Sequence, residues 1–227
     1  MLNYLSHLEQ DRKLAYRTIN IHRSCISFHL AHVDNKPVGD HPSVIRLMKG
    51  IFNSNPPRPK SNVVWDVSVL INYIRSLPPN ADLSFDDLSR KLVCLLAVTC
   101  ANRSSDIQTL DLSTLTYRPE GALFRHCHLR KTSSPNFLHD SFYPSYPSDV
   151  NICVVETLKA YISRTENLRS SSRLIISLKR PHKEVTATTI SRWITAMMAA
   201  AGINTTVFKG HSTRSSSTTA AKSLEFH

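Results

Sequence analysis

Apolar positions at the start of the chain recur at helical spacing. Tyr4, Leu5 and Leu8 begin a short stripe, and Ile19, Cys25, Ile26 and Leu30 carry one through a second segment. Asn35, Pro37 and Gly39 mark a loop, after which Val44, Ile45, Leu47, Met48 and Ile51 predict a third helix. The stretch NSNPPRPKSN at 53–62 ends this pattern. Its prolines remove backbone donors and clash with the preceding turn, so no helix crosses it. The expected organisation is a helical domain over 1–54, a linker over 55–62 and a larger domain over 63–227.

Beyond the linker, Val69, Leu70, Tyr73 and Ile74 predict a helix that ends at Pro78-Pro79. Ser84 is placed to cap the next helix, with Asp86 and Asp87 in its first turn where the helix dipole favours negative charge. That helix runs through Leu88, Leu92, Leu95 and Leu96 and is apolar nearly all round, which predicts burial. After Leu112 the period changes. Residues 114–130 and 138–143 predict short strands around Pro119-Glu120-Gly121 and a turn over Thr132 to Asn136. Helices are expected again at 151–167 and 187–201, with a strand-like LIIS at 174–177 and a helix stop at Gly202. The predicted fold class is mainly α with a small antiparallel β-sheet.

Composition narrows the function classes. The 227 residues are 41% hydrophobic and 20% charged, which excludes disordered and fibrous chains. The longest apolar run, Val93 to Val98, falls far short of the ~20 residues that cross a bilayer. MLNYLSHLEQ lacks the unbroken apolar stretch of a signal peptide, so the expectation is a soluble intracellular protein without a membrane partner. Five cysteines with no C-x-x-C pair fit neither a disulfide framework nor a zinc ribbon, and Cys94 and Cys100 read as small core residues. His126 and His128 alternate on a predicted strand, where a metal ligand pair is conceivable, but no H-E-x-x-H accompanies them and no metal or cofactor is expected.

The formal net charge is +11, spread as +5 over 1–60, −2 over 61–120 and +8 over 121–227. Two basic segments around a near-neutral middle suit a protein that grips a polyanion, although a solvated basic surface has the same arithmetic.

Three basic clusters carry candidate chemistry. Arg103, in CANRSSDIQTL, stands at a helix start, on the unfavourable side of the dipole, with Asp106 three residues on to hold its side chain. An anion site and a surface salt bridge both fit. Lys131, in His128-Leu129-Arg130-Lys131-Thr132-Ser133, occupies a hairpin tip, where it either reaches a ligand or is simply solvated. In Lys209-Gly210-His211-Ser212-Thr213-Arg214, Gly210 permits a tight turn and His211 and Arg214 share one helical face. Arginine offers phosphate a bidentate fork and histidine a further donor.

Arg, a long gap, Lys in a β-hairpin and then H-x-x-R in a late helix resembles the tyrosine recombinases, the phage-integrase family. TINIHRSCISFH at 18–29 and HPSVIRLMKGIFNSNPPRPK at 41–60 look like part of that family's SAM-like core-binding domain and its linker. NICVVETLKAYI at 151–162 and FKGHSTRSSSTTAA at 208–221 look especially like recombinases of eukaryotic transposable elements of the DIRS and Crypton kinds. The resemblance implies the DNA breaking-rejoining fold over 63–227, double-stranded DNA as partner, a homo-oligomer on DNA in the intact parent and a nuclear location in a eukaryote. Arg103 and Arg214 would clamp the scissile phosphate. His211 would hydrogen-bond it, Lys131 would protonate the leaving 5′-oxygen, and Asp106 would support Arg103. No metal is needed, since arginines supply the charge.

The pattern departs from the family at its end. The nucleophilic tyrosine of the family follows H-x-x-R by roughly thirty residues. Here all seven tyrosines (Tyr4, Tyr16, Tyr73, Tyr117, Tyr143, Tyr146 and Tyr161) precede His211. The expectation is therefore a recombinase cut at both ends, which binds DNA without cleaving it. A catalytically dead, domesticated DNA-binding module and a type IB topoisomerase-like fragment are the alternatives.

Overall fold

A computed structural model describes residues 1–57, 63–126 and 140–225. The chain divides into two compact units, Met1–Asn62 and Val63–His227.

In the first unit, α1 (Leu2–Gln10), α2 (Tyr16–His29) and α3 (Pro42–Ser54) enclose a small core of Leu5, Leu8, Ile19, Val44, Met48 and Ile51. Pro42 opens α3, where a missing N–H costs nothing, and the His41 ring accepts from the Ser43 N–H at 3.3 Å. The expected stripe on α2 holds only in part. Ile19 is buried, but Cys25 is exposed, Ile26 is half-buried, and Leu30 lies just past the helix end in solvent. Two neighbouring helices cover a single face of α2, which leaves Phe28 85% exposed.

The second unit is built around α5 (Phe85–Thr99). The Ser84 hydroxyl caps it by accepting from the Asp87 N–H at 3.0 Å, and Asp86 and Asp87 lie in its first turn. Leu88 and the whole run Leu92–Ala97 are buried, because α7 (Val154–Thr165), α8 (Ala187–Ala200) and α9 (Ser212–Glu225) all pack on this helix. Lys91 is buried with them. Among the described residues no hydrogen-bond partner reaches its ammonium, and burial pushes its pKa down to about 8 against the opposing attraction of Asp149. Ahead of α5, α4 (Val67–Ser76) is capped by Asp66, which accepts from the Ser68 N–H at 2.9 Å, and it buries Leu70 and Ile74.

Strands β1 (Leu115–Arg118), β2 (Gly121–Phe124) and β3 (Ser141–Pro144) form an antiparallel sheet in the order β1-β2-β3, with Leu115 opposite Phe124 and Ala122 opposite Tyr143. They are shorter than expected, and the hairpin turn anticipated over 132–136 lies outside the described residues. The LIIS segment is apolar for burial, not for a named strand. Leu174, Ile175 and Ile176 are buried, and the segment is held by isolated bridges and by Leu174 N–H donating to Leu110 O at 2.9 Å. Gly202, at φ +83°, ends α8 as expected. Its N–H donates to Ala199 O and that of Ile203 to Met198 O, which satisfies two carbonyls of the last turn. Among the described residues no helix is long and apolar enough to cross a membrane.

Candidate phosphate-recognition site

The exit from α5 sets up the site. Asn102 N–H donates to Ala97 O at 3.1 Å and Ala101 N–H to Val98 O at 3.4 Å, the pairing that normally ends on glycine. The left-handed position is instead filled by Ala101, at φ +47°, a conformation that costs an L-residue about 1–2 kcal/mol. Asn102 holds this strained turn in place. It is buried, and its side-chain amide donates to Tyr143 Oη at 2.5 Å and to Leu96 O at 3.5 Å.

Arg103 follows as the N-cap of α6 (Ser104–Gln108). Asp106 serves it in two ways, through the expected i,i+3 side-chain pair and through the backbone. The carboxylate accepts from the Arg103 backbone N–H at 3.0 Å, and the guanidinium stands 3.9 Å away. The capping bond satisfies an orphan donor of the helix start, and the nearby negative charge offsets the dipole that an arginine meets there. With Asp106 buried and the Arg103 side chain 36% exposed, the carboxylate forms the floor and the guanidinium faces outward. The Gln108 side chain then accepts from Ala187 N–H at 3.1 Å, tying α6 to the start of α8.

Arg214 reaches the same turn from the far end of the chain. Its Nη1 donates to Ala101 O at 3.3 Å, across 113 residues of sequence. A guanidinium has five N–H donors, and this bond uses one. Arg214 stands in the first turn of α9, and His211 lies exposed just ahead of that helix. The two therefore meet at one helix end, where the dipole favours an anion. The structure thus brings Arg103, Asp106, His211 and Arg214 to the α5–α6 turn and the start of α9. Lys131 lies outside the described residues.

Gly210 lies in the expected tight turn, closed by Ser212 N–H donating to Lys209 O at 2.8 Å, and has a further role there. Its φ is not left-handed, but a Cβ at this position would stand 2.7 Å from Ser191 O on α8 and 2.9 Å from the Ser191 hydroxyl. Its N–H donates to Thr195 Oγ1 at 3.1 Å. Glycine is needed here because the backbone presses on α8. The small residues that follow serve the same end, with Thr213 and Ser216 buried where α9 meets its neighbours.

Trp65, Asn102 and Ala101 escaped the sequence reading. Trp65 donates its indole N–H to Ser212 Oγ at 2.9 Å. No periodicity marks any of the three, since their partners lie far away in the chain.

Other expectations resolve locally. His126 is buried, with Nε2 2.9 Å from Ser141 Oγ, while His128 lies outside the described residues. Among the described residues no three His, Cys, Asp or Glu side chains gather as a metal site would require. Cys94 is buried and Cys100 half-buried. Tyr143 and Tyr161 are fully buried, with hydroxyls engaged by Asn102 and by Ile176 N–H, and burial pushes the Tyr161 hydroxyl pKa up.

No family model and no curated protein matches the chain. Among solved structures it is similar to the XerH site-specific recombinase in a pre-cleavage complex with its difH substrate, at TM-score 0.53 and 10% identity over 94% of this chain. It is also similar to the XerA recombinase (TM-score 0.47, 14% identity, 93% of this chain). A third similar structure is a lambda integrase 75–356 dimer bound to a COC′ core site (TM-score 0.48, 15% identity, 95% of this chain). This chain spans 61% of the XerH chain, 64% of XerA and 67% of the lambda integrase chain. The fold, mainly helical with a three-stranded antiparallel sheet, is that of the tyrosine recombinase catalytic domain.

Proposed function

We propose that this chain is a double-stranded-DNA-binding protein of the tyrosine recombinase kind, in which Arg103 and Arg214 grip one backbone phosphate. The observation that carries the reading is the Arg214 hydrogen bond to Ala101 O, which joins the α9 start to the turn that holds Arg103. A buried carboxylate below Arg103, an outward guanidinium and a helix start beside it form a cradle for a tetrahedral anion, and the net charge of +11 favours a polyanion as its source.

Within this reading the two guanidinium groups bind non-bridging oxygens and stabilise the added charge of a pentacoordinate phosphorus. His211 donates to the same phosphate, and Lys131 gives its proton to the departing 5′-oxygen. Residues 1–54 act as a partial core-binding domain, 55–62 as linker and 63–227 as the catalytic domain. The resemblance to recombinases of eukaryotic elements, and the nuclear location that goes with it, rest on the segments at 151–162 and 208–221 alone. Every tyrosine precedes His211, and Tyr143 and Tyr161 are sealed in the core. In this reading none of these tyrosines is the nucleophile, and what is proposed for these 227 residues is duplex binding without a phosphotyrosyl bond.

The test is duplex binding by fluorescence anisotropy across a salt series, with Arg103→Ala and Arg214→Ala beside the parent. Affinity of the parent should fall steeply with salt, and each variant should bind about tenfold or more weakly with a shallower salt slope, one phosphate contact being lost. Unchanged affinity in both variants overturns the clamp. A covalent adduct with a nicked duplex, seen on a denaturing gel, overturns the claim that this chain does not cleave.

A further inference from the structure

Trp65 is the one core aromatic in the segment that leads into α4, and its indole N–H is the only polar group it has. Inside a packed core that donor needs an acceptor, and it has one in Ser212 Oγ at 2.9 Å. The Ser212 hydroxyl has a single proton, which it gives to Lys209 O at 2.8 Å. Its lone pairs are thereby left for the indole, and the direction of both bonds is fixed. The Ser212 backbone N–H also donates to Lys209 O, at 2.8 Å, and the Thr213 hydroxyl donates to Gly210 O at 2.7 Å. The turn 209–212 is thus tied from the α4 side by Trp65 and from the α8 side by Thr195, which accepts from Gly210 N–H at 3.1 Å. Trp65 is itself anchored, because the next residue, Asp66, caps α4, and α4 packs on α9.

We propose that Trp65 is a positioning residue: through Ser212 it fixes the turn that presents His211 and sets the first turn of α9, and hence the reach of Arg214. The role in DNA binding rests on the function proposed above, whereas the tethering of the turn does not. A ring held only for its apolar area would leave the N–H without consequence. Here the N–H is the first link of a chain, Trp65 N–H to Ser212 O–H to Lys209 O, and links in series strengthen one another. Removing the first should loosen the turn while the core around α5 stays closed.

The experiment compares full-length parent, Trp65→Phe, Ser212→Ala and the double variant. Phenylalanine keeps a buried ring and deletes the donor, and Ser212→Ala deletes the acceptor without touching the core aromatic, so a folding defect in the first variant leaves the second to decide. Amide hydrogen exchange is read first, without DNA. Peptides covering 205–214 should exchange about five- to tenfold faster in either single variant, with α5 peptides unchanged and the double variant no faster than the singles. Duplex affinity is read second and should fall about three- to tenfold in both singles, again without further loss in the double. Unchanged exchange at 205–214 overturns the tether, as does an additive double variant. Faster exchange with parental affinity, in a protein whose Arg214→Ala variant does lose affinity, overturns the positioning role. If Arg214→Ala itself keeps full affinity, the phosphate clamp fails, and the exchange data still decide the tether.

Discussion

Gly210→Ala is the sharpest probe of how α9 is docked. A Cβ there would meet Ser191 O at 2.7 Å, Ser191 Oγ at 2.9 Å and Thr195 Oγ1 at 3.3 Å. The first of these cannot move alone: it is a helix carbonyl in the middle of α8 and already accepts from Thr195 Oγ1 at 2.9 Å. Relief must come from the 209–212 turn, by roughly half an ångström or more. Such a shift stretches the Gly210 N–H bond to Thr195 from 3.1 Å past useful length. Overpacking of this kind costs about 1–3 kcal/mol and the lost hydrogen bond about 1 kcal/mol, while the stiffer unfolded chain returns about 0.4–1 kcal/mol. The net expectation is a loss of about 1–3.5 kcal/mol. Both tryptophans, Trp65 and Trp193, lie in the second unit, so urea unfolding followed by tryptophan fluorescence reports on that unit alone. Gly50→Ala is the internal control, because nothing lies within 4 Å of a Cβ at that helical position of α3. It should stabilise the first unit by about 0.5–1 kcal/mol in circular dichroism and leave the fluorescence transition in place. A Gly210→Ala protein whose fluorescence midpoint and slope match the parent would refute the argument that α9 is seated by backbone contact.

Two further outcomes follow from buried strain. Lys91→Met should stabilise the protein by about 1–3 kcal/mol at pH 7, since a buried ammonium that no hydrogen bond reaches among the described residues is replaced by an apolar chain of similar length. The pH dependence has a definite sign: the Lys91 pKa is about 8 when folded and near 10.5 when unfolded, so between those values the unfolded chain binds more protons and the parent gains stability as pH rises. The advantage of the variant in parallel urea titrations should therefore be full below pH 8 and shrink towards pH 10, and a pH-independent advantage would contradict the burial argument. Ala101→Gly should raise the fluorescence-detected stability by about 0.5–1 kcal/mol, the relief of left-handed strain at φ +47° less the entropy of glycine, and a loss of stability would count against that strain.

Periodicity and capping chemistry made the helices legible. Ser84 with Asp86 and Asp87 marked the start of α5, and Gly202 marked the end of α8, because each acts on its own few residues of backbone. The α2 stripe misled for the complementary reason. Ile19, Cys25, Ile26 and Leu30 keep helical spacing, but burial also requires a neighbour, and α1 and α3 cover only the Ile19 side. LIIS misled in the same way: its apolar run reports burial, and burial does not require a sheet when Leu110 and Lys183 accept from the segment's backbone N–H groups.

The candidate site separates along the same line. The residue types and order of Arg103, Asp106, His211 and Arg214 were readable, since the chemistry of an anion is written in the side chains themselves. Their meeting place was not. It depends on Ala101 in a left-handed turn, on Asn102 bonding Tyr143 across the core, and on Gly210 lying against Ser191. In each of these a backbone position matters as much as the side chain, and the partner lies 19, 41 or 113 residues away. The strain at Ala101 has the clearest consequence. A glycine there would hold the same turn at lower energy, yet the Ala101 carbonyl is the acceptor for Arg214. A Cβ narrows the backbone freedom of that residue and so fixes the direction of the carbonyl. The more stable Ala101→Gly protein should accordingly hold Arg214 less firmly and bind duplex DNA more weakly than the parent, which is the opposite of what stability alone would give.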